Sequence, residues 1–380
     1  MLNVILTGSV SFIITFLAIP AIMRVADEKK LFDLPDARKV HSNAIASLGG
    51  VGIFIGFFLA SLLTIKGEER PEIQYCFASG IVVFFLGLKD DILVISALKK
   101  FIGQLAAAAI VIHLAGIRIE SMHGVFGLGT LPLPLSYLLS YVTIIVIVNA
   151  YNLIDGVDGL AGSLGILTTS IFGVYFFLAN MPVYSLVAFG MAGSLLAFLV
   201  YNFNPAKIFM GDSGSLLLGL VNAILVMKFI KVADAPGAAI PIDSAVAVGF
   251  SILVVPLLDT LRVFSIRISK GRSPFVPDRT HIHHLLLDRG LNHRSITVSC
   301  VGLNISFIVM AYFGRALGST ALLLIMFATS VAVIGLLMFV KRTSSTLVIS
   351  SSFQHLNSEP IMQATTKVVP ISSEAAVAEQ

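Results

Sequence analysis

The sequence predicts an all-α, polytopic membrane protein with about eleven transmembrane helices. Of the 380 residues, 57% are hydrophobic and only 12% are charged, whereas an average soluble domain is about 25% charged. The apolar residues also gather into eleven runs that approach or reach the roughly 20 residues of a membrane-crossing helix. This composition excludes most soluble folds, disordered chains and repeat solenoids. A net charge of +4 on so little polar surface argues against nucleic-acid binding.

The first apolar run, 2–23, is predicted to be a membrane helix and not a cleavable signal peptide. No positive charge precedes this run, and Arg24, Lys29 and Lys30 follow it. A signal peptide has its charges in the opposite order. The ten further runs, with boundaries good to a few residues, occupy 51–65, 74–88, 98–115, 131–149, 160–179, 183–203, 214–231, 244–264, 297–314 and 320–340.

The distribution of Lys and Arg predicts the orientation. With the N-terminus outside and the C-terminus cytoplasmic, 19 of the 25 Lys and Arg residues lie inside and 6 lie outside, as the positive-inside rule requires. Residues 343–380 contain Ser and Thr clusters and no long apolar run. We therefore expect a transmembrane domain over 1–342 and a largely disordered cytoplasmic tail over 343–380.

Cysteine chemistry is not expected to contribute. The two cysteines, Cys76 and Cys300, fall near opposite faces of the predicted topology, so a disulfide between them is not expected. The chain also lacks a CxxC or Cys/His metal pattern.

Polar residues are the informative ones in so apolar a chain, and they gather in five segments on the predicted cytoplasmic face. The first runs from Asp33 to His41, includes Lys39, and leads to Gly49 and Gly50. It fits a charged loop that orients the first two helices. Its alternative function is a basic hook for a phosphate, with glycines that let the backbone approach closely.

The second segment is Lys89-Asp90-Asp91, at the inner end of the third run. Adjacent carboxylates at a membrane boundary are unfavourable unless they meet a cation, a proton or a hydroxyl group. They fit either an anchor paired with a neighbouring lysine or part of a catalytic site.

The third segment, 149–160, contains Asn149, Asn152, Asp155 and Asp158. A helical turn would bring the two aspartates onto one face, whereas Gly156 and Gly159 favour tight loop backbone near a ligand. Carboxylates, amides and glycines together suit a hydroxyl-rich or metal-bound ligand. A plain connecting turn needs none of them, so we favour a functional role.

The fourth segment, 204–215, contains Phe209 and places Asp212 between glycines just before an apolar run. Asp212 fits an N-cap, which aspartate performs well, but capping does not explain the whole string. An aspartate at the mouth of a helix can also hold Mg²⁺.

The fifth segment, 277–284, carries Arg279, His281, His283 and His284 in the longest inner loop. The histidines alone suit a transition metal. No cysteine accompanies them, and the nearby arginines would repel a cation but attract an anion. We therefore favour phosphate binding over zinc, with a merely solvated basic loop as the remaining alternative.

Taken together, these segments provide the groups that phosphoryl transfer needs. Carboxylates that bind Mg²⁺, opposite cationic clamps for phosphates, are the recurring parts of such sites. Five aspartates exceed what one Mg²⁺ uses, which leaves some for acid–base work or for contacts with a sugar or ribose.

In these motifs the chain resembles the polyprenyl-phosphate N-acetylhexosamine-1-phosphate transferases. Enzymes of that family span the membrane many times and move a sugar-1-phosphate from a UDP-sugar onto a lipid phosphate, with Mg²⁺. The similarity runs in order from about Asp33 to Leu291. The eleven runs and the His-Ile-His-His loop resemble the branch that uses undecaprenyl phosphate and UDP-N-acetylglucosamine. The branch that uses UDP-N-acetylmuramoyl-pentapeptide typically carries three consecutive histidines, and that donor is the alternative.

The resemblance implies roles for individual residues. Mg²⁺, or Mn²⁺ in its place, would be held by Asp212 with Asp155. The catalytic carboxylates would be Asp90, Asp91, Asp155 and Asp158, with Asp90 deprotonating or orienting the lipid phosphate. The implied substrate-binding residues are Asn152, Phe209, Arg279, His281, His283, His284, Lys39 and His41.

The resemblance also implies a cellular setting. The enzyme would lie in the inner (plasma) membrane with its active site on the cytoplasmic face. Its partners would be UDP-N-acetylhexosamine and undecaprenyl phosphate, with the lipid tail in an apolar groove between spans and no nucleic acid. The product would begin a cell-envelope polysaccharide such as lipopolysaccharide or teichoic acid. Monomer and homodimer both remain open.

A transporter is the alternative of a different class, since transporters also carry Asp and His in membrane segments. A transporter places its ionisable residues near mid-membrane, often in two related halves. Here they lie at one face and no internal repeat is visible. A structural membrane scaffold would have no use for this set of aspartates.

The predicted orientation can be tested by cysteine labelling in a Cys76→Ser/Cys300→Ser background. In intact cells, Glu68→Cys should react with a membrane-impermeant maleimide, because residue 68 is predicted outside. Ser352→Cys should react only after the membrane is permeabilised. Labelling of residue 352 in intact cells would contradict the odd number of spans.

Overall fold

The computed structural model describes residues 2–31, 45–65, 71–235, 237–271 and 282–339, apart from the side chains of 283, 284 and 337–339. Within these ranges the regular structure is helical, and the β-bridge found there joins Ser121 and Thr130. The α-helices are α1 (Leu2–Lys29), α2 (Gly49–Thr64), α3 (Glu72–Ile92), α4 (Ala97–Ala109), α5 (Leu133–Ile154), α6 (Leu160–Leu178), α7 (Pro182–Asn202), α8 (Gly211–Ala233), α9 (Ala245–Ile252), α10 (Val254–Ser269), α11 (Ile282–Leu287), α12 (His293–Phe313) and α13 (Ser319–Phe339).

The apolar runs of the sequence coincide with these helices. Among the described residues, nine helices are long and apolar enough to cross a membrane when α4 is counted with its π-helical continuation Ile110–Leu114. The number is ten if the bent pair α9–α10 counts as one. Helix α2 is also apolar but has only 16 residues. The polytopic all-α fold is therefore confirmed, whereas the eleven crossings and their orientation stay predictions. The predicted tail, 343–380, lies outside the described residues, and the domain boundary before it stays a prediction.

Helix α8 lies at the centre of the bundle, and α2, α3, α5 and α6 pack around it. Most of its residues are buried, as expected of a helix that is apolar on all sides. Glycine permits the closest approach, since a Cβ atom on Gly219 would lie 2.6 Å from the Cα atom of Val148 in α5. Packing along its whole length thus fixes where the first turn of α8 lies.

The outer helices present apolar side chains to their surroundings. Large exposed side chains include Leu17 on α1, Val298 on α12 and Phe327 on α13. In water such a surface would favour aggregation, whereas in a bilayer it contacts lipid tails of similar polarity. Cys76 and Cys300 are both buried and free.

The ninth run is not the single straight helix that its composition suggests, because α9 and α10 meet at an angle of 83°. Pro256 explains the break, since proline has no N–H to donate to the carbonyl of Ile252, four residues earlier. Asn304 of α12 supplies the missing bond: its Nδ2 donates to the Ile252 oxygen at 3.0 Å. Its Oδ1 accepts the N–H of Val255 at 3.1 Å. One side-chain amide therefore satisfies both backbone groups at the break.

We expect Asn304→Leu to lower thermal stability clearly, because it leaves a buried carbonyl and a buried N–H without partners. Each such group costs about 1–3 kcal/mol. Ser306→Ala is the matched control, since the Ser306 hydroxyl is exposed and donates only to Gly302 of its own helix. Thermal unfolding of the detergent-purified variants measures the difference, and equal unfolding temperatures would contradict the role of Asn304.

Candidate active site

Four helix ends meet at one end of the bundle and bring charged residues together. Asp90 and Asp91 lie in the last turn of α3, and Lys100 lies in the first turn of α4. Asn152 lies in the last turn of α5, and Asp212 in the first turn of α8. Residues more than 100 positions apart in the chain thus come into contact.

The N-terminus of α8 is capped by a side chain from another helix. Asp91 Oδ1 accepts the backbone N–H of Asp212 at 2.7 Å, and its Oδ2 accepts that of Ser213 at 3.0 Å. A carboxylate here satisfies amides that have no partner within the helix and complements the helix dipole. The carboxylate of Asp212 points to other partners, so its interpretation as a simple N-cap is wrong.

Two glycines allow this capping. Gly211 has a φ of +71°, and a Cβ atom there would overlap the Ser47 carbonyl and lie 2.7 Å from both Asp91 carboxylate oxygens. Gly87 lies one helical turn before Asp91, and a Cβ atom there would lie 2.5 Å from the backbone of Asp212. Helix α3 can approach the start of α8 only because both positions lack a side chain.

Gly49 and Gly50 also allow close approach of the backbone, but what approaches them is another segment of the protein and not a ligand. The N–H of Gly49 donates to the Phe209 carbonyl at 2.8 Å, and that of Gly50 donates to the Met210 carbonyl at 2.8 Å. The half-buried Phe209 in turn donates its N–H to Ala46 at 2.8 Å. The start of α2 therefore holds in place the segment that precedes Asp212.

The Asp212 carboxylate lies in a set of polar contacts that we call the Asp212 cluster, formed by Asp90, Lys100, Asn152 and Asp212. Asn152 Nδ2 donates to Asp212 Oδ1 at 2.6 Å and to Ser215 Oγ at 3.0 Å. The Lys100 ammonium group contacts Asp212 Oδ2. Both oxygens of Asp212 are thus engaged.

Lys100 joins the cluster together. Its Nζ lies 3.1 Å from Asp90 Oδ2 and 3.4 Å from Asn152 Oδ1, in addition to its contact with Asp212. Asp90 is also fixed by the N–H of Ile95, which donates to its Oδ1 at 2.9 Å. The sequence indicates Lys100 only as one of several lysines near the aspartate pair. Helix α4 turns Lys100 toward the cluster, whereas Lys99, the residue before it, is exposed.

The sequence also did not indicate a pair of side-chain amides that lies one helical turn from the cluster. Asn149 Nδ2 donates to Gln104 Oε1 at 2.9 Å, and Gln104 Nε2 donates back to Asn149 Oδ1 at 3.3 Å. Gln104 is four residues after Lys100, and Asn149 is three residues before Asn152. These spacings were the available signal, and the pair fixes α4 against α5 beside the cluster.

Asp155 follows directly after α5 and is half-buried. Burial raises the pKa of this carboxyl to about 8, helped by the negative charges of Asp212, Asp91 and Asp158. A carboxylate so placed is stabilised by a proton or by a cation.

Asp158 has a different environment, in the loop before α6. Asn204 Nδ2 donates to its Oδ2 at 2.9 Å, the N–H of Ala206 does so at 3.1 Å, and His293 Nδ1 lies 3.2 Å from its Oδ1. Burial alone would raise the pKa of Asp158, but these partners outweigh it and lower the pKa below the ordinary value. Asp158 thus joins this loop to the segment before α8 and to α12.

The donor set fits a magnesium ion completed by substrate. Among the described residues, no three His, Cys, Asp or Glu side chains form a metal site by themselves. Mg²⁺ usually takes one or two carboxylates plus phosphate oxygens of its substrate, which Asp212 with Asp155 nearby would provide. The contacts of Lys100 with Asp90 and Asp212 show that a cation is accommodated among these carboxylates.

Comparison with known proteins identifies the family. Residues 73–230 match the model described as glycosyl transferase family 4. The chain is 30% identical over 303 residues to the undecaprenyl-phosphate alpha-N-acetylglucosaminyl 1-phosphate transferase of Yersinia pestis, covering 77% of this chain and 80% of that protein. The chain belongs to glycosyl transferase family 4.

Two other relatives in family 4 have names that describe the same kind of transferase. Decaprenyl-phosphate N-acetylglucosaminephosphotransferase of Mycobacterium leprae is 33% identical over 329 residues, covering 77% of this chain and 79% of the relative. The Escherichia coli K12 protein with the same name as the Yersinia one is 29% identical over 292 residues, covering 76% and 77%. The chain is therefore an integral membrane enzyme that transfers a sugar phosphate, as predicted, and not a transporter.

The family 4 match, 73–230, runs from the start of α3 into the last turn of α8 and contains the whole Asp212 cluster. Of the predicted site residues, the structure brings Asp90, Asp91, Asn152, Asp155 and Asp212 to one end of the bundle. Phe209 and Asp158 lie in the segments that support them. The other predicted residues, Lys39, His41, Arg279 and His281 and the side chains of His283 and His284, lie outside the described parts of the chain.

We expect Gly211→Ala to lower turnover at least about tenfold, equivalent to about 1.4 kcal/mol in the barrier. A methyl group there pushes against Asp91 and Ser47 and displaces Asp212. Gly237→Ala is the control, because Gly237 also has a positive φ, of +77°, but a methyl group on it would have no neighbouring atom within 4 Å. Turnover per folded molecule measures the difference, and equal losses in both variants would mean that backbone strain alone matters.

Proposed function

We propose that this family 4 enzyme transfers N-acetylglucosamine-1-phosphate from UDP-N-acetylglucosamine to undecaprenyl phosphate and releases UMP, with Mg²⁺ as cofactor. The names of the relatives support a polyprenyl phosphate acceptor and an N-acetylglucosamine group. Most Lys and Arg residues are predicted to lie on the same side of the membrane as the site residues. This supports an active site on the cytoplasmic face of the inner (plasma) membrane. The product would be the first membrane-bound intermediate of a cell-envelope polysaccharide.

The observation that carries the proposal is the position of Asp212. Its carboxylate lies in the first turn of α8, where Asp91 holds the backbone and Asn152 and Lys100 hold the side chain. A carboxylate with both cationic and amide partners at the end of an apolar bundle suits phosphates that arrive from water. In the proposed orientation, a lipid phosphate would approach the same end of the bundle from the bilayer.

The net reaction exchanges one pyrophosphate link for another. A bond forms between an oxygen of the lipid phosphate and the β-phosphorus of the donor. The bond from that phosphorus to the oxygen of the α-phosphate breaks, and UMP leaves with the electron pair. Bonds of the same kind are made and broken, so the reaction is expected to be close to energy-neutral and reversible.

Catalysis of such an exchange is mainly positioning and charge neutralisation, because donor and acceptor are both anions. Mg²⁺ held by Asp212, with Asp155, would supply positive charge to the phosphates. Asp90 shares the Lys100 ammonium group with Asp212, and we assign it the task of orienting or deprotonating the lipid phosphate. Asp91 acts here through α8, since both of its oxygens hold backbone amides.

The remaining predicted residues complete the substrate site. Asn152, Asp158 and Phe209 are assigned to the uridine or sugar, with Asn152 beside the Asp212 carboxylate to which its amide donates. Arg279, His281, His283 and His284 are assigned to the pyrophosphate, and Lys39 and His41 to phosphate. A zinc site in the histidine loop is not part of the proposal.

The purified protein with undecaprenyl phosphate, UDP-N-acetylglucosamine and Mg²⁺ should release UMP. Asp212→Asn should lower this release by about 10²-fold or more, because the ion loses a charged ligand. The variant should fold normally, since Asp91 and not Asp212 caps α8.

Asp234→Asn is the matched control, because Asp234 lies at the opposite end of α8, where it pairs with His123. Its turnover should stay near that of the wild type. UDP-N-acetylmuramoyl-pentapeptide tested in parallel decides between donors. Near-normal UMP release by Asp212→Asn at limiting Mg²⁺ would remove Asp212 from the metal site.

A further inference from the structure

Lys100 occupies the oxygen of Asp212 that a metal ion would need. The ammonium group contacts Asp212 Oδ2, while Asp212 Oδ1 accepts the amide of Asn152 at 2.6 Å. The Lys100 side chain is only 16% exposed, so its charge is poorly screened by water. The ammonium group and a divalent ion therefore compete for the same carboxylate oxygen.

Lys100 has a second carboxylate partner, Asp90, for its ammonium group when that group leaves Asp212. Its Nζ already lies 3.1 Å from Asp90 Oδ2, and a lysine has four flexible methylene groups and three N–H donors. Because a divalent ion and the ammonium group repel each other at short range, moving toward Asp90 alone leaves that repulsion poorly compensated. A phosphate group that contacts both cations would compensate it.

We propose that Lys100 is a metal-competing group that keeps free divalent ions off Asp212 and yields when a phosphate-bearing ligand arrives. Metal and nucleotide phosphates then bind with positive cooperativity, and each raises the affinity of the other by the same factor. This inference rests on the proposed function, because it takes the phosphate to be that of the nucleotide donor.

This competition sets the order in which phosphate and metal ion enter the site. Without a nucleotide, Lys100 offsets one of the two negative charges of Asp90 and Asp212 and occupies the position that an ion would take. With a nucleotide, negatively charged phosphate enters, and the site gains the ion that balances it. The metal is thus recruited only when its charge is required.

The test measures Mn²⁺ affinity of the full-length protein in detergent by electron paramagnetic resonance, with and without UMP. The wild type should bind Mn²⁺ about tenfold or more tightly when UMP is present, within the usual range for coupled sites. Lys100→Met should bind Mn²⁺ without UMP about tenfold more tightly than the wild type does, and UMP should then add less. Lys100→Arg keeps the charge and should behave like the wild type.

Lys99→Met is the matched control, because it removes the same charge from the neighbouring exposed residue. It should leave the Mn²⁺ affinity unchanged, which separates direct competition from a general loss of positive charge. If Lys100→Met does not fold, Lys100→Gln and the wild-type measurement still decide. Equal Mn²⁺ affinity of the wild type with and without UMP, or no gain in a folded Lys100 variant without UMP, overturns the proposal.

These results are separable from the proposed reaction. If the wild type releases UMP from UDP-N-acetylglucosamine but Lys100→Met binds Mn²⁺ no more tightly, the competition is wrong and the reaction stands. If Lys100→Met binds Mn²⁺ more tightly but the wild type transfers no sugar phosphate from any UDP-sugar, the competition stands and the reaction is wrong.

Discussion

The two hydrogen bonds from the first amides of α8 to Asp91 hold the site together. They connect the central helix of the bundle to the end of α3, and so they set the distance between Asp212 and Asp90. A helix end that is packed inside a bundle must satisfy its amides, and here a neighbouring helix does so. Asp212 is then free to turn its carboxylate toward Asn152 and Lys100. Gly87 and Gly211 are the counterpart of this interaction, since neither helix could approach so closely with a side chain at those positions.

The two neighbouring aspartates after α5 illustrate how environment separates like residues. Asp155 faces other carboxylates, which adds to the effect of burial and raises its pKa. Asp158, three residues later, receives hydrogen bonds from Asn204 and Ala206 that keep it ionised. The first residue therefore suits a site that receives a cation, whereas the second is an ionised hydrogen-bond acceptor that also holds the segment before α8. Gly159, with a φ of +76°, lets the chain turn between them and α6.

The sequence predicted the helices well because hydropathy is a local property, and it predicted the gathering of Asp90, Asp91, Asn152, Asp155 and Asp212 because alternating helices bring their ends to one side. It did not predict which partner each group has. The choice of Lys100 over Lys99 depends on the phase of α4 against α5, and the capping of α8 by Asp91 depends on packing between distant segments. The bend after Ile252 had a visible signal in Pro256, but the apolar composition of the run outweighed it. The roles of the catalytic and substrate-binding residues stay predictions.

At the break between α9 and α10, the residue types at two distant positions of the chain depend on each other. Pro256 removes a backbone donor, and Asn304 replaces it from another helix. If proline were lost, α9 could continue as a regular helix and the amide at 304 would become an unsatisfied polar group among apolar neighbours. If the amide were lost first, the proline would leave an orphaned carbonyl. Neither residue can change alone without harm, so among related sequences positions 256 and 304 should be inherited as a pair.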